Sequence, residues 1–193
     1  MVFSDETSLC VEGRGFQYVR RGSGERLRTC HLSQRSKFPQ KVMFWGCFCA
    51  TGLGSLHECK GSVNTIAYIS LLQSQLMPQI SNWFSNSTSW TFVQDNAPCH
   101  KSKTTMTWLA QHGVVVMDWP PNSPDLNPIE NIWGVLKQRL MCLGSLSKTQ
   151  LIDNVQKIWR EDPTLFSMCT TLVQSMHQRV SDVLKNHGGV IDY

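Results

Sequence analysis

Three carboxylates stand where a chain can hold a side chain rigidly. Asp5 lies in Val2-Phe3-Ser4-Asp5-Glu6, Asp95 in Gln94-Asp95-Asn96-Ala97-Pro98-Cys99-His100, and Glu130 in Ser123-Pro124-Asp125-Leu126-Asn127-Pro128-Ile129-Glu130-Asn131. Carboxylate oxygens are what hard divalent cations bind, and magnesium keeps several waters, so it needs few protein ligands. Like charges packed together without a cation repel and resist ionisation, so a convergent cluster of this kind implies a counter-ion. Glu130 also has a purely structural reading, since Asn127 at a helix N-cap and Glu130 three residues later could close a capping box. Glu6 is the main rival to Asp5. Asp118 and Asp125 are further carboxylates in the loop, and Asp125 reads as shaping the turn by bonding local backbone amides. His100 could contact a phosphate, orient Asp95, or cap the helix that follows Ser102. Lys137 follows Glu130 and Gly134 on one helical face, either as a cation beside the site or as an exposed lysine.

The elements that must position these groups are legible around them. Val2 to Leu9 reads as a short first strand, followed by a turn at Glu12 to Gly15 and a return strand from Phe16 to Arg20. Lys41 to Ala50 is the strongest strand signal, and Thr51 to Gly54 turns it back into Ser55 to Lys60. Asn64 is placed to cap a helix whose Ile66, Ile69, Leu72 and Leu76 form a stripe, ending near Pro78. Trp90 to Val93 is a buried strand that delivers Asp95, Ser102 to Gln111 is helical with Gly113 as its stop, and Val114 to Met117 is an apolar strand. Pro120, Pro121, Pro124 and Pro128 forbid regular structure in the next loop. A helix then starts with Asn127 as cap and Pro128 first, burying Ile129, Ile132, Trp133, Leu136 and Leu140 along one stripe. Ser147 and Gln150 form a capping box for a helix carrying Leu151, Ile152, Val155, Ile158 and Trp159. Asp162-Pro163 caps the last one, with Phe166, Cys169, Leu172, Val173 and Met176 as its stripe, while Arg179 and Lys185 could touch DNA but read rather as solvated. Strands first, then alternating helix and strand, is an α/β pattern with a mixed sheet flanked by helices and extra helices at the C-terminal end.

Together, Phe3-Ser4-Asp5-Glu6-Thr7, Gln94-Asp95-Asn96-Ala97-Pro98-Cys99-His100 and Ser123-Pro124-Asp125-Leu126-Asn127-Pro128-Ile129-Glu130-Asn131 resemble the catalytic triad motifs of the Tc/mariner superfamily of DDE transposases. The thirty-four residues between Asp95 and Glu130, and a final Glu rather than Asp, resemble the Tc branch more than mariner proper. The resemblance implies a ribonuclease H-like fold over residues 1–193, a single catalytic domain without the helix-turn-helix module that family members carry N-terminally. It implies metal-dependent DNA strand cleavage and strand transfer in cut-and-paste transposition, with Asp5, Asp95 and Glu130 both catalytic and metal-binding. Two magnesium or manganese ions roughly 3.5–4 Å apart would serve the attacking and leaving oxygens. Asp5 would bridge the ions, Asp95 share one and Glu130 complete the other. The implied partners are double-stranded DNA (transposon ends and a TA target) and a second copy in a homodimer, with no membrane, and the implied location is the nucleus. Two other readings are a domesticated, non-catalytic DNA- or protein-binding module and a plain ribonuclease H-type hydrolase.

Composition agrees with one domain of ordinary size: 193 residues can bury one sizeable core. No apolar run approaches the roughly 18 residues that span a bilayer, and no secretory leader is visible. The eight cysteines lack the paired spacing of a zinc site and read as reduced thiols. Net charge is +4, unevenly spread: Glu12 to Lys41 holds eight basic residues against two acidic ones, so that segment is +6 and the remainder −2. Within it Arg20, Arg21, Arg26 and Arg28, with His100 and Lys137 nearer the carboxylates, are the candidate DNA contacts, since a basic surface beside a carboxylate cluster suits a phosphate backbone.

Overall fold

The computed structural model describes residues 1–11, 40–85 and 89–191. A five-stranded mixed sheet has the order β3-β2-β1-β4-β5. β1 (Val2–Cys10) is central, antiparallel to β2 (Lys41–Cys49) and parallel to β4 (Thr91–Val93). β3 (Gly52–Cys59) flanks β2, and β5 (Val115–Val116) closes the other edge, parallel to β4. Side chains alternate along each strand, so the two faces of the sheet feed two cores. Phe3, Leu9, Phe44, Phe48 and Val93 join one; Val2, Trp45, Cys47 and Phe92 join the other.

The second core is covered by α1 (Thr65–Leu71), a π-helical segment at Leu72–Leu76, α2 (Met77–Trp83) and α3 (Lys103–Gln111). The expected stop at Pro78 does not occur. The wider π turn and the position of Pro78 in the first turn of α2, where its missing N–H removes little, carry the chain on to Trp83. The stripe is also rotated: Tyr68, Leu71, Leu72 and Leu76 are buried, whereas Ile66 is 79% exposed. Asn64 caps α1 as expected, and Ser102 rather than His100 caps α3.

The first core is covered by α4 (Ile129–Cys142), α5 (Lys148–Glu161) and α6 (Pro163–Lys185). The five stripe residues of α4 are all buried. The Ser147–Gln150 capping box and the Asp162 cap both form. On α6 Phe166 faces outward, and the buried residues are Leu165, Cys169, Leu172 and Arg179. Arg179 is therefore not solvated. The seven cysteines among the described residues are all free thiols. Among those residues no helix is long and apolar enough to cross a membrane. The turn at Glu12, the return strand from Phe16 and the arginines Arg20, Arg21, Arg26 and Arg28 lie outside the described residues.

Candidate active site

Asp5 lies on β1 and Asp95 just past the end of its parallel neighbour β4. Val2 pairs with Phe92 and Phe3 with Val93 on parallel neighbours. Asp5 lies two residues further along β1, and Asp95 two residues past the end of β4, in the loop that follows. Ser4 Oγ donates to the Val93 carbonyl at 3.1 Å and fixes the strands at this point. Glu6, one residue on, lies on the opposite face of β1 and meets His100, which separates it from the face shared by Asp5 and α4.

Glu130 reaches that face by packing. Gly46 is the ladder partner of Asp5 on β2. A methyl group there would meet Trp133 Cη2 at 2.6 Å and Trp159 Cη2 at 3.1 Å. The Trp133 ring, stacked on Trp159 with centroids 5.1 Å apart, thus lies directly on the glycine backbone beside Asp5. Glu130 is three residues before Trp133, on the same side of α4, so this contact sets the carboxylate over the central strand. The loop before it is tied as well: Asn127 Nδ2 donates to the Ser4 carbonyl at 3.3 Å.

That bond overturns the capping-box alternative. α4 has no side-chain cap, and Pro128 occupies the cap position. The buried side chain of Asn127 has turned to β1 instead, which leaves Glu130 without an Asn127 cap to serve. Asp125 was expected to bond local amides; its Oδ2 instead accepts from the Ile191 N–H, sixty-six residues away, at 3.2 Å. Arg179, 6% exposed, completes this lock. Its Nη1 donates to the Asp125 carbonyl at 2.8 Å, its Nη2 to Asn131 Oδ1 at 2.6 Å and its Nε to Ser175 Oγ at 3.0 Å. Sequence reasoning missed it, although Arg179 continues the buried spacing Leu165, Cys169, Leu172, Met176 along α6. A charged side chain on a buried stripe was the available signal.

The electrostatics follow from this crowding. Burial, then the charges of Glu130, Glu6 and Asp95, raise the Asp5 carboxyl to about 8. Asp95 is held below the usual carboxylate range, first by its hydrogen bond from His100. Burial by itself would lower His100, but the hydrogen bond to Asp95 and the charges of Glu6 and Asp95 outweigh it and raise the imidazole to about 10. His100 is 3% exposed, with both ring nitrogens facing carboxylates, so it offers no surface to DNA, contrary to its place among the expected DNA contacts. Lys137 is exposed on α4, beside a groove lined by Ser8, Leu9, Leu140 and Leu151. Among the described residues no group of three or more His, Cys, Asp or Glu is drawn close enough to enclose a metal ion ready-made. Asp5 feels the charges of both Glu130 and Asp95, that of Glu130 more strongly.

Residues 1–152 match the family described as DDE superfamily endonuclease. The chain belongs to this family. It is 31% identical over 189 residues to the Tcb1 transposase of Caenorhabditis briggsae, an alignment covering 97% of this chain and 68% of that protein. It is 30% identical over 196 residues to the Tc1 transposase of Caenorhabditis elegans, covering all of this chain and 70% of that one. These relatives place it among the Tc/mariner transposases, a catalytic domain in a family whose chemistry is DNA cleavage in transposition. Its fold is that of the Mos1 mariner transposase catalytic domain, with a TM-score of 0.74 at 15% identity, covering 99% of this chain and 83% of that one. The Mos1 chain in a paired end complex with Mg superposes with a TM-score of 0.84 at 15% identity, and this chain spans 56% of its length. The expected ribonuclease H-like fold, mixed sheet and added C-terminal helices are what is found.

Proposed function

We propose that Asp5, Asp95 and Glu130 form the metal-holding catalytic triad of this transposase domain, and that it cuts and rejoins DNA strands at transposon ends. The observation that supports this reading is electrostatic: Asp5 on the central strand feels the charges of both Glu130 and Asp95, and its ladder partner Gly46 lies under the Trp133 ring, one turn from Glu130 on α4. The donor set fits magnesium or manganese, being all carboxylate oxygen, and these ions keep several waters of their own. Two bound ions would supply positive charge to the attacking and leaving oxygens of a phosphodiester. Asp5, Asp95 and Glu130 would be the side chains that hold them. The chain's own work is positional. The Ser4–Val93 and Asn127–Ser4 bonds, with the Arg179 lock behind the loop, tie together the three segments that carry the carboxylates.

The Mos1 structures contain transposon end DNA and Mg or Mn, which supports DNA as the substrate here and these cations as the cofactor. We infer a chromosomal substrate, hence a nuclear location, with TA targets and a homodimer holding two ends. The test is a cleavage assay on an oligonucleotide duplex with and without magnesium. Asp5→Asn, Asp95→Asn and Glu130→Gln should each remove almost all metal-dependent cleavage with the fold intact, whereas Asp118→Asn should not. Cleavage by Asp95→Asn at the wild-type rate would overturn the triad, and a metal-independent wild type would favour the non-catalytic reading.

A further inference from the structure

The Asp95 carboxylate is held from behind by a buried imidazole that the triad reading does not use. His100 Nδ1 lies 2.6 Å from Asp95 Oδ1, and the Ala97 N–H donates to that same oxygen at 2.9 Å. The two hydrogen bonds described on Asp95 thus both fall on Oδ1, which leaves Oδ2 without one among them. The other ring nitrogen, Nε2, lies 3.3 Å from Glu6 Oε1, at ion-pair distance though not in hydrogen-bond geometry. The imidazole therefore spans from β1, next to Asp5, to the loop after β4.

Its orientation is locked by its surroundings. Tyr68 stacks on it with ring centroids 3.9 Å apart and an interplanar angle of 29°. The Tyr68 hydroxyl donates to Gln94 Oε1 at 2.7 Å, and Gln94 Nε2 donates to the His100 carbonyl at 3.4 Å. The His100 N–H bonds the Ala97 carbonyl at 2.9 Å. Ring plane, backbone and Nδ1 are all fixed, and Nε2 faces a carboxylate, which a side chain that merely filled space would not require. A ligating carboxylate oriented by such a bond presents one chosen oxygen, and loss of such a partner commonly weakens metal binding about 10–100-fold.

We propose that His100, braced by Glu6 and Tyr68, is a positioning residue that fixes Asp95 with Oδ1 occupied, so that Oδ2 is the oxygen given to the metal. The inference rests on Asp95 being a metal ligand, and the experiment separates the two. Manganese binding to the purified full chain is followed by the loss of free Mn²⁺ signal in electron paramagnetic resonance, with no DNA and no turnover. The variants are Asp95→Asn, His100→Ala, His100→Asn (whose amide N–H can stand near Nδ1) and Glu6→Gln, each checked for a native circular dichroism spectrum. His100→Ala should bind Mn²⁺ about tenfold or more weaker than wild type, His100→Asn should recover most of that loss, and Glu6→Gln should fall between. If His100→Ala does not fold, His100→Asn and Glu6→Gln decide: wild-type affinity in Asn with reduced affinity in Gln supports the brace. Wild-type affinity in His100→Ala while Asp95→Asn has lost binding overturns the positioning role and leaves the triad standing. Equal losses in His100→Ala and His100→Asn also overturn it, since ring volume and not the donor would then matter. Wild-type binding by Asp95→Asn instead overturns the metal assignment itself.

Discussion

Gly46→Ala should destabilise this protein, although the same change at Gly134 should stabilise it. At Gly46 the added carbon would sit 2.6 Å from Trp133 Cη2, against an ordinary carbon–carbon contact of about 3.5–4.0 Å. The ring must therefore retreat by about 1 Å, and the structure gives it little room. Trp159 is stacked behind it, is itself 3.1 Å from the new carbon, and is tethered by its Nε1 to the Gly54 carbonyl at 2.8 Å. Overpacking against groups that cannot yield costs about 1–3 kcal/mol. The loss of glycine freedom in the unfolded chain returns about 0.4–1 kcal/mol. The clash wins, by about 1–2 kcal/mol, which for a chain of this size lowers Tm by about 2–8 °C. Gly134 lies in α4 with nothing within 4 Å of its absent side chain, so there only the helix preference for alanine acts, about 1 kcal/mol in the stabilising direction. Urea unfolding and thermal melts of both variants, with Trp133→Leu and the Gly46→Ala/Trp133→Leu double variant, test the mechanism. Trp133→Leu makes room, so the double variant should be more stable than the sum of the two changes by about 0.5–3 kcal/mol. Because Trp133 carries Glu130, Gly46→Ala should also raise the manganese needed for half-maximal cleavage. A Gly46→Ala protein as stable as wild type, or strict additivity in the cycle, would refute this account of how Glu130 is placed.

Millimolar magnesium or manganese should raise the Tm of the wild type, and not of the Asp5→Asn/Asp95→Asn/Glu130→Gln variant, because a ligand bound only by the folded state stabilises it by mass action; equal rises in both would place the ions elsewhere. In EDTA, stability should fall as pH rises between about 4 and 8: folded Asp5, raised to about 8, keeps a proton that the unfolded chain has released. His100, raised to about 10, adds a contribution present below about 6.5 and lost as pH climbs towards 10, so the slope has the same sign at higher pH. A Tm-against-pH curve for Asp5→Asn as steep as wild type between pH 4 and 8 would refute the first part. Arg179→Met should cost about 3 kcal/mol in urea unfolding, since it strands the Asp125 carbonyl and Asn131, whereas exposed Lys185→Ala should stay within about 0.5 kcal/mol. DNA binding should weaken with salt at a log–log slope of about −0.9 per phosphate neutralised, and Ala at Arg20, Arg21, Arg26 and Arg28 should flatten that slope for all sequences alike.

Much of this protein is written locally. The α4 stripe, the Ser147–Gln150 box, the Asp162 and Ser102 caps and the β2 strand follow from periodicity and capping, which depend on residues within a turn or two of each other. The candidate carboxylates were legible too, because each is announced by its flanking residues in a loop or at an element's end. What the sequence could not say is where a polar side chain of the first core finds its partner. Asn127 looks like a cap, and Asp125 like a turn former, because both roles are local; in the folded chain they bond Ser4 and Ile191, 123 and 66 residues away. Arg179 looks solvated until α6 lies behind the loop, where a guanidinium with several donors can satisfy two carbonyl oxygens that water no longer reaches. Glu6 and Asp5 are adjacent in sequence and equal in chemistry, and only the pleat of the central strand sends them to opposite faces, one to His100 and the other to the face of α4. Composition and spacing thus determined which residues were available for chemistry, while long-range packing, above all a tryptophan lying on a glycine beside Asp5, decided which of them meet.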